Sequence, residues 1–224
     1  MNFKGSHFPK DIILMSIRWY VSYPLSYRHV EELMEERGVH LDHATVNRWV
    51  IKYSPLLEAE FRKSKSSVGK SWKVDETYIK VKGNWVYYYR AVDKEGKTID
   101  FFLSPTRDAE AARTFFEKAI GSSGLPEKVN IDKSGANLLG LQRVNHTLSE
   151  HQKIIIRQVK YLNNRIEQDH RAIKRITKPM MGFKNFMSAT ATLAGIELAH
   201  MIKKGQSLFN PSLPAWEQFY ALAG

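Results

Sequence analysis

Asp75, Asp132 and Glu167 are the residues whose type and spacing point to chemistry. Asp75 closes the apolar β-type run Trp72-Lys73-Val74-Asp75, and Asp132 closes Val129-Asn130-Ile131-Asp132. Glu167 lies in the helical run Asn163-Asn164-Arg165-Ile166-Glu167-Gln168-Asp169-His170, with 34 residues between it and Asp132. Carboxylates placed on two neighbouring strands and a packed helix can converge on divalent cations beside a nucleic-acid phosphate. Phosphodiester transfer needs an activated oxygen nucleophile, in-line geometry and a stabilised leaving oxygen, and two ions about 3.5–4 Å apart supply all three. Mg²⁺ accepts hard oxygens from few protein groups and keeps several waters, which suits three acids. Crowded acids raise each other's pKa until a metal neutralises them, so metal is expected to stabilise the site.

The neighbours refine this picture. At helical spacing Glu167 shares one broad face with Asn163, His170, Arg171, Lys174 and Lys178, opposite Leu162, Ile166, Ile173 and Ile176. Glu167 can then look at a metal while Arg171 and Lys174 hold DNA backbone; the plain alternative is an i,i+4 ion pair of Glu167 with Arg171 on a solvated helix. In a regular strand Glu76 points to the other sheet face from Asp75, and it reads as a surface or ion-paired acid. Asp169 faces elsewhere than Glu167, and His170 reads as a structural histidine. Asp93 and Asp100 read as turn and strand-edge residues. Trp72 and Trp85 read as core aromatics rather than base-stacking platforms, and Trp19 and Trp49 as helix-packing residues.

The charge distribution agrees with a polyanionic partner. The 224 residues carry a formal charge of +11, with 43% hydrophobic content, enough for a real core. Residues 61–82 hold seven cations against Asp75 and Glu76, a net of +5; residues 157–184 hold eight against Glu167 and Asp169, a net of +6. Two of the three acids thus sit in the two basic stretches, where DNA backbone would lie. There are no cysteines, which excludes a disulfide framework and thiolate zinc sites. The N-terminus lacks a secretory pattern, and the apolar run Ile12–Tyr23 is interrupted by Arg18 and too short to span a bilayer. A soluble cytoplasmic protein, associated with the nucleoid when on DNA and without a membrane partner, is expected.

The elements that must position these acids are legible in outline. Residues 1–60 read as three helices. Ile13, Ile17, Tyr20 and Val21 recur at helical spacing before Pro24; Ser26 can cap a second helix; Asp42 can cap a third, with Val46, Trp49, Val50 and Tyr53 inward and Pro55 beyond its end. The second and third form a helix-turn-helix candidate, in which Ala44, Thr45, Asn47, Arg48, Ile51 and Lys52 point away from the apolar face. Residues 62–71 are polar, small and basic, and 61–71 reads as a linker. From 72 to 224 strands and helices alternate: strands over 72–82, 85–92 and 98–103 with a tight turn at Gly83-Asn84, a helix capped by Asp108, a strand over 128–131, a helix over 134–146, a buried strand at 154–156, and helices near 163–176 and 185–204. An antiparallel meander followed by αβαβα units implies an α/β mixed sheet with helices on both faces.

Val74-Asp75-Glu76-Thr77-Tyr78, Ile131-Asp132-Lys133 and Tyr161-Leu162-Asn163-Asn164-Arg165-Ile166-Glu167-Gln168-Asp169-His170 together resemble the three blocks of a DDE transposase. The 34-residue gap is that family's second spacing, and Lys174, seven residues after Glu167, matches its usual basic residue. The pattern is most similar to the compact bacterial transposases of the insertion-sequence-six family, and the likeness includes Leu25-Ser26-Tyr27-Arg28, Val46-Asn47-Arg48-Trp49-Val50, Tyr89-Arg90-Ala91-Val92-Asp93 and Gly182-Phe183-Lys184. The resemblance implies an N-terminal helix-turn-helix that reads terminal inverted repeats and a ribonuclease-H-like core. It implies that Asp75, Asp132 and Glu167 ligate two Mg²⁺ ions, with Mn²⁺ as a substitute. The core would cleave at 3′ ends and join them to target DNA, producing cointegrates by replicative transposition. DNA contacts are then expected from Arg28, Thr45, Asn47, Arg48, Lys52, Arg171, Lys174 and Lys178, with double-stranded element ends and target as partners and at least a homodimer to synapse them.

Other readings account for less. A structure-specific nuclease needs no module that finds ends by sequence. A helix-turn-helix repressor leaves the acids and roughly 150 downstream residues without a role. A retroviral-type integrase carries an N-terminal His/Cys zinc module, which a chain without cysteine cannot build.

Overall fold

The computed structural model describes residues 1–159 and 164–224; Lys160, Tyr161, Leu162 and Asn163, which include part of the third motif block, lie outside the described residues. Along the chain run α1 (Lys10–Ser22), α2 (Tyr27–Glu35), α3 (His43–Arg62), β1 (Ser71–Val81), β2 (Asn84–Val92), β3 (Thr98–Ser104) and α4 (Ala109–Ser123). Then follow β4 (Lys128–Ile131), α5 (Gly135–His146), β5 (Ile155–Gln158), α6 (Asn164–Thr177), α7 (Phe186–Lys203) and α8 (Ala215–Ala221). They form two compact units, Met1–Ser66 with Ala172–Gly224, and Ser67–Arg171.

The first unit is helical. Ser26 caps α2 by accepting from the backbone of His29 at 3.1 Å, while Nδ1 of His29 accepts from the Ser26 backbone at 3.3 Å. Asp42 caps α3, accepting from the amides of Ala44 and Thr45 at 2.9 and 3.0 Å. The third helix does not stop before Pro55. It continues to Arg62 with the proline inside it, although an interior proline forfeits one hydrogen bond and costs about 3 kcal/mol. The continuation buries Leu57 and Phe61 completely, and each such burial contributes roughly 1.5–3 kcal/mol.

The C-terminal helices join this unit, whereas the sequence grouped them with the sheet. Helix α7 is apolar nearly all round, with Ala189, Leu193, Ile196, Leu198 and Ile202 all buried. Such a helix needs cover on several sides, and α1, α3 and α8 supply it. Gly195 marks the closest approach: a Cβ there would come within 2.7 Å of Ser54 Oγ and 2.8 Å of a Val21 methyl.

The second unit is the mixed α/β sheet flanked by helices that the sequence implied. Its order is β3-β2-β1-β4-β5. β1, β2 and β3 pair antiparallel, and β1–β4 and β4–β5 pair parallel. The β1–β2 turn falls one residue earlier than expected. Val81 pairs with Asn84, and Lys82 and Gly83 form the two-residue loop with φ of 49° and 81°, the doubly positive backbone that a right-twisted hairpin requires. One sheet face buries Trp72, Val74, Tyr89, Ala91 and Ile131 against Ala112, Phe115 and Phe116 of α4 and Leu141 and Val144 of α5. Gly140 lets α5 cross α4 closely, since a Cβ would lie 2.7 Å from that of Ala112. This explains a glycine in a helix whose propensity it lowers. β5 is not buried: Ile154 is 3% exposed but Ile155 is 57% exposed, because the strand lies at the sheet edge with β4 as its one neighbour.

Candidate active site

The parallel ladder between β1 and β4 ends with Lys73 opposite Asn130. Asp75 stands two residues further along β1, and Asp132 directly follows β4, both just past the point where the pairing stops. There a carboxylate oxygen from each of Asp75, Glu76 and Asp132 comes within 4.8 Å of the other two. The Asp75 and Asp132 side chains are partly open to solvent, at 22% and 37%, while that of Glu76 is 4% exposed.

Each acid is held differently. Oδ1 of Asp132 accepts from the Ser134 backbone N–H at 2.9 Å, and Ser134 in turn caps α5 through Asn137. Oδ2 of Asp132 faces Arg107, whose terminal nitrogen is 3.9 Å away. Glu76 spends both oxygens inside the protein: Oε1 accepts from Nε of Arg107 at 2.7 Å and Oε2 from Nδ2 of Asn137 at 2.9 Å. Burial pushes the Glu76 carboxyl up, and the Arg107 hydrogen bond and charge oppose that rise. The same hydrogen bond raises Arg107 in return. Glu76 is therefore the ion-paired acid of the two sequence options, but a buried one. Arg107 and Asn137 went unnoticed in the sequence because no local pattern ties them to Glu76, which is 31 and 61 positions away.

Asp75 looks to the other side of the sheet. Its cross-strand partner is Arg90, a fully buried arginine whose guanidinium pairs with Oδ2 of Asp169 at 2.7 Å. A buried guanidinium left without a carboxylate would be strongly destabilising, so this pair ties the start of α6 to β2. Nε2 of His170, 4% exposed, lies 3.5 Å from Oδ2 of Asp75. Both residues acquire structural roles that the sequence assigned only to His170. Glu167, one turn before His170 and on its side of the helix, is exposed and is not a member of the three-carboxylate group.

The remaining candidates are surface residues. Arg28, Arg48, Lys52, Arg171, Lys174 and Lys178 are exposed, and Thr45 and Asn47 are half-buried. A chain of hydrogen bonds fixes the start of α3: Arg48 donates to Thr45 Oγ1 at 2.6 Å, and that hydroxyl donates to Asp42 at 2.7 Å. Trp72 is a core residue at 1% exposure, but Trp85 is 63% exposed, contrary to its reading as a core aromatic.

The donor set fits a hard divalent cation. Asp75 and Asp132 offer carboxylate oxygens that are partly open to solvent, the ligand chemistry of a hard divalent cation. Among the described residues no helix is long and apolar enough to cross a membrane.

Comparison with known proteins bears on this arrangement. A family model described as a DDE domain matches residues 69–206. The transposase for the insertion sequence-like element IS431mec of Staphylococcus aureus (strain Mu50) is 39% identical over 203 residues, covering 90% of this chain and 88% of that one. The transposase of IS257 in transposon Tn4003, also from Staphylococcus aureus, is 38% identical over the same shares. Among solved structures, the magnesium complex of the HTLV-2 integrase catalytic core domain (trimeric form) overlays with a TM-score of 0.49 at 18% identity, covering 70% of this chain and 99% of that one.

Proposed function

This chain belongs to the DDE-domain transposases of the insertion-sequence-six family, and we propose that it recognises the terminal inverted repeats of its element, cleaves at their 3′ ends and joins them to target DNA, yielding cointegrates. The observation that carries this reading is the pair Asp75 and Asp132, just past the end of the β1–β4 ladder, with a carboxylate oxygen of each within 4.8 Å of the other.

Asp75, Asp132 and Glu167 would hold two Mg²⁺ ions, for which Mn²⁺ would substitute. When bound, the ions supply Lewis-acid stabilisation of the phosphate and lower the pKa of the attacking water or 3′-hydroxyl. The protein supplies position. Ser134 fixes the rotamer of Asp132 through Oδ1 and leaves Oδ2 outward. The Arg90–Asp169 pair and the His170–Asp75 approach set the start of α6, from whose first turn Glu167 completes the ligand set. Glu76, with both oxygens engaged, anchors Arg107 beside the site. Arg171, Lys174 and Lys178 hold the backbone of the strand being cut, and Arg28, Thr45, Asn47, Arg48 and Lys52 make the contacts that select the ends. The chain divides in function into an N-terminal reading module, a basic linker between α3 and β1 and the catalytic region that follows, acting as a homodimer or larger assembly that synapses two ends.

The test is a strand-transfer assay with oligonucleotides carrying the inverted repeats that flank the gene. Mg²⁺-dependent joining to a target plasmid, absent with scrambled ends, is the expected result. Cleavage without joining, at scrambled and authentic ends alike, would make the protein a nuclease instead.

A further inference from the structure

Beyond the area covered by α4 and α5, the sheet face that carries Glu76 runs out along the β1–β2 hairpin into solvent. Glu76, Tyr78 and Lys80 follow one another at two-residue spacing on β1, and their cross-strand partners on β2 are Tyr89, Tyr87 and Trp85. Side chains two apart share a face, so one stripe reads Glu76/Tyr89, Tyr78/Tyr87, Lys80/Trp85, then Lys82 at the turn. At about 3.4 Å per residue, Tyr78 stands roughly 7 Å and Lys80 roughly 14 Å along the strand from Glu76. Tyr78 is 47% and Trp85 63% exposed, and Lys80 and Lys82 are exposed as well. The Tyr78 and Tyr87 rings meet at 5.4 Å with a 55° tilt. Past Glu76 the stripe holds no acid.

An exposed tryptophan opposite an exposed lysine does not serve the core, which lies under α4 and α5. Open aromatic faces interleaved with cations are what unpaired nucleic-acid bases bind: the rings stack on bases of any sequence and the cations hold the backbone. Duplex DNA hides its base faces, so it would engage the lysines alone. The stripe starts at Glu76, whose partner Arg107 also reaches to 3.9 Å from Asp132.

We infer that the outer face of the β1–β2 hairpin is a platform for single-stranded DNA, with Trp85 and Tyr78 stacking on unpaired bases and Lys80 and Lys82 holding its phosphates. This rests on the reading of the protein as a DNA-processing enzyme and adds to it a strand-opening surface. The probes are a fluorescent single-stranded thymidine 12-mer and a blunt duplex of equal length, titrated into the full chain at several salt concentrations.

Trp85→Ala is expected to weaken binding of the single strand about tenfold, with unchanged salt dependence and little change on the duplex. Trp85→Phe keeps most of the affinity, and Trp85→Ala also removes fluorescence quenching by the 12-mer. Lys80→Gln/Lys82→Gln lowers the salt slope on both probes by roughly 1 to 2. Trp85 is exposed, so its substitution leaves the fold intact; Tyr78→Ala is the second variant. The inference is overturned if both aromatic variants bind the 12-mer as the wild type does, or lose both probes equally, or change oligomeric state without changing DNA affinity. A wild type that binds neither probe sinks the DNA-processing reading as well; a wild type that binds the duplex but not the single strand sinks this inference alone.

Discussion

Arg107 donates through Nε to Oε1 of Glu76 across 2.7 Å, and a terminal nitrogen of the same guanidinium reaches to 3.9 Å from Asp132. One arginine thus joins a buried acid on one strand to an outward acid that follows another. Its removal strands a desolvated carboxylate beside Asp75 and Asp132. Arg107→Ala is therefore expected to cost about 2 kcal/mol, because removing one partner of a charge-assisted pair leaves the other unsatisfied. Glu76→Gln combined with Arg107→Ala should cost less than the sum of the two single changes. Urea denaturation of the four proteins checks this; additive losses would mean that the contact carries no energy.

Metal should stabilise the catalytic unit, since it relieves repulsion between Asp75 and Asp132. At a Mg²⁺ concentration of about 100 times Kd, the gain is roughly 2.7 kcal/mol. Differential scanning fluorimetry should show a rise in Tm with Mg²⁺ or Mn²⁺, its reversal by EDTA, and no rise in Asp132→Asn. An equal rise in that variant would place the metal elsewhere.

The start of α3 gives a pH dependence with a definite sign. Hydrogen bonds from the Thr45 hydroxyl and backbone hold the Asp42 carboxyl below its ordinary value of 3.8. Its contribution to stability is thus present above pH 3.8 and lost as pH falls through the lower, folded-state value. The Tm gap between wild type and Asp42→Ala should stay level near neutrality and close in acid. Asp42→Asn, which keeps a cap without the titration, should lie between them near neutrality. A gap that widens in acid would contradict the assignment.

Much of this was legible in the sequence because the signals are local. Ser26, Asp42 and Asp108 announce helix starts through bonds that span two or three residues, and all three caps form. The β4 run over 128–131 declared itself by four residues bounded by turns. What escaped depends on contacts far apart in the chain. Pro55 argued for a helix end, and only the burial of Leu57 and Phe61 overrides it. Trp85 looked like core because sequence cannot say how far a hairpin projects beyond the helices that cover it. The Glu76–Arg107–Asn137 cluster and the Arg90–Asp169 pair join residues 31 to 79 positions apart, and no period encodes them. The placement of α7 with α1 and α3 likewise follows from apolar surface on every side, which shows that it is buried but not against what.

Arg48 is 72% exposed on its side chain and is steadied by Thr45, so its substitution should leave folding unchanged. Arg48→Ala is expected to weaken binding to the element's ends by about 1–3 kcal/mol if it reads a base through both guanidinium arms. Band-shift titrations on authentic and unrelated duplexes check this. An equal loss on both would make Arg48 a phosphate contact.

The most direct test of the central claim is strand transfer by Asp75→Ala on oligonucleotides carrying the element's ends, with end binding measured on the same preparation. The account predicts that joining is abolished while affinity for the ends stays within about twofold of the wild type, a shift below 0.5 kcal/mol. Full strand-transfer activity in this variant would contradict it.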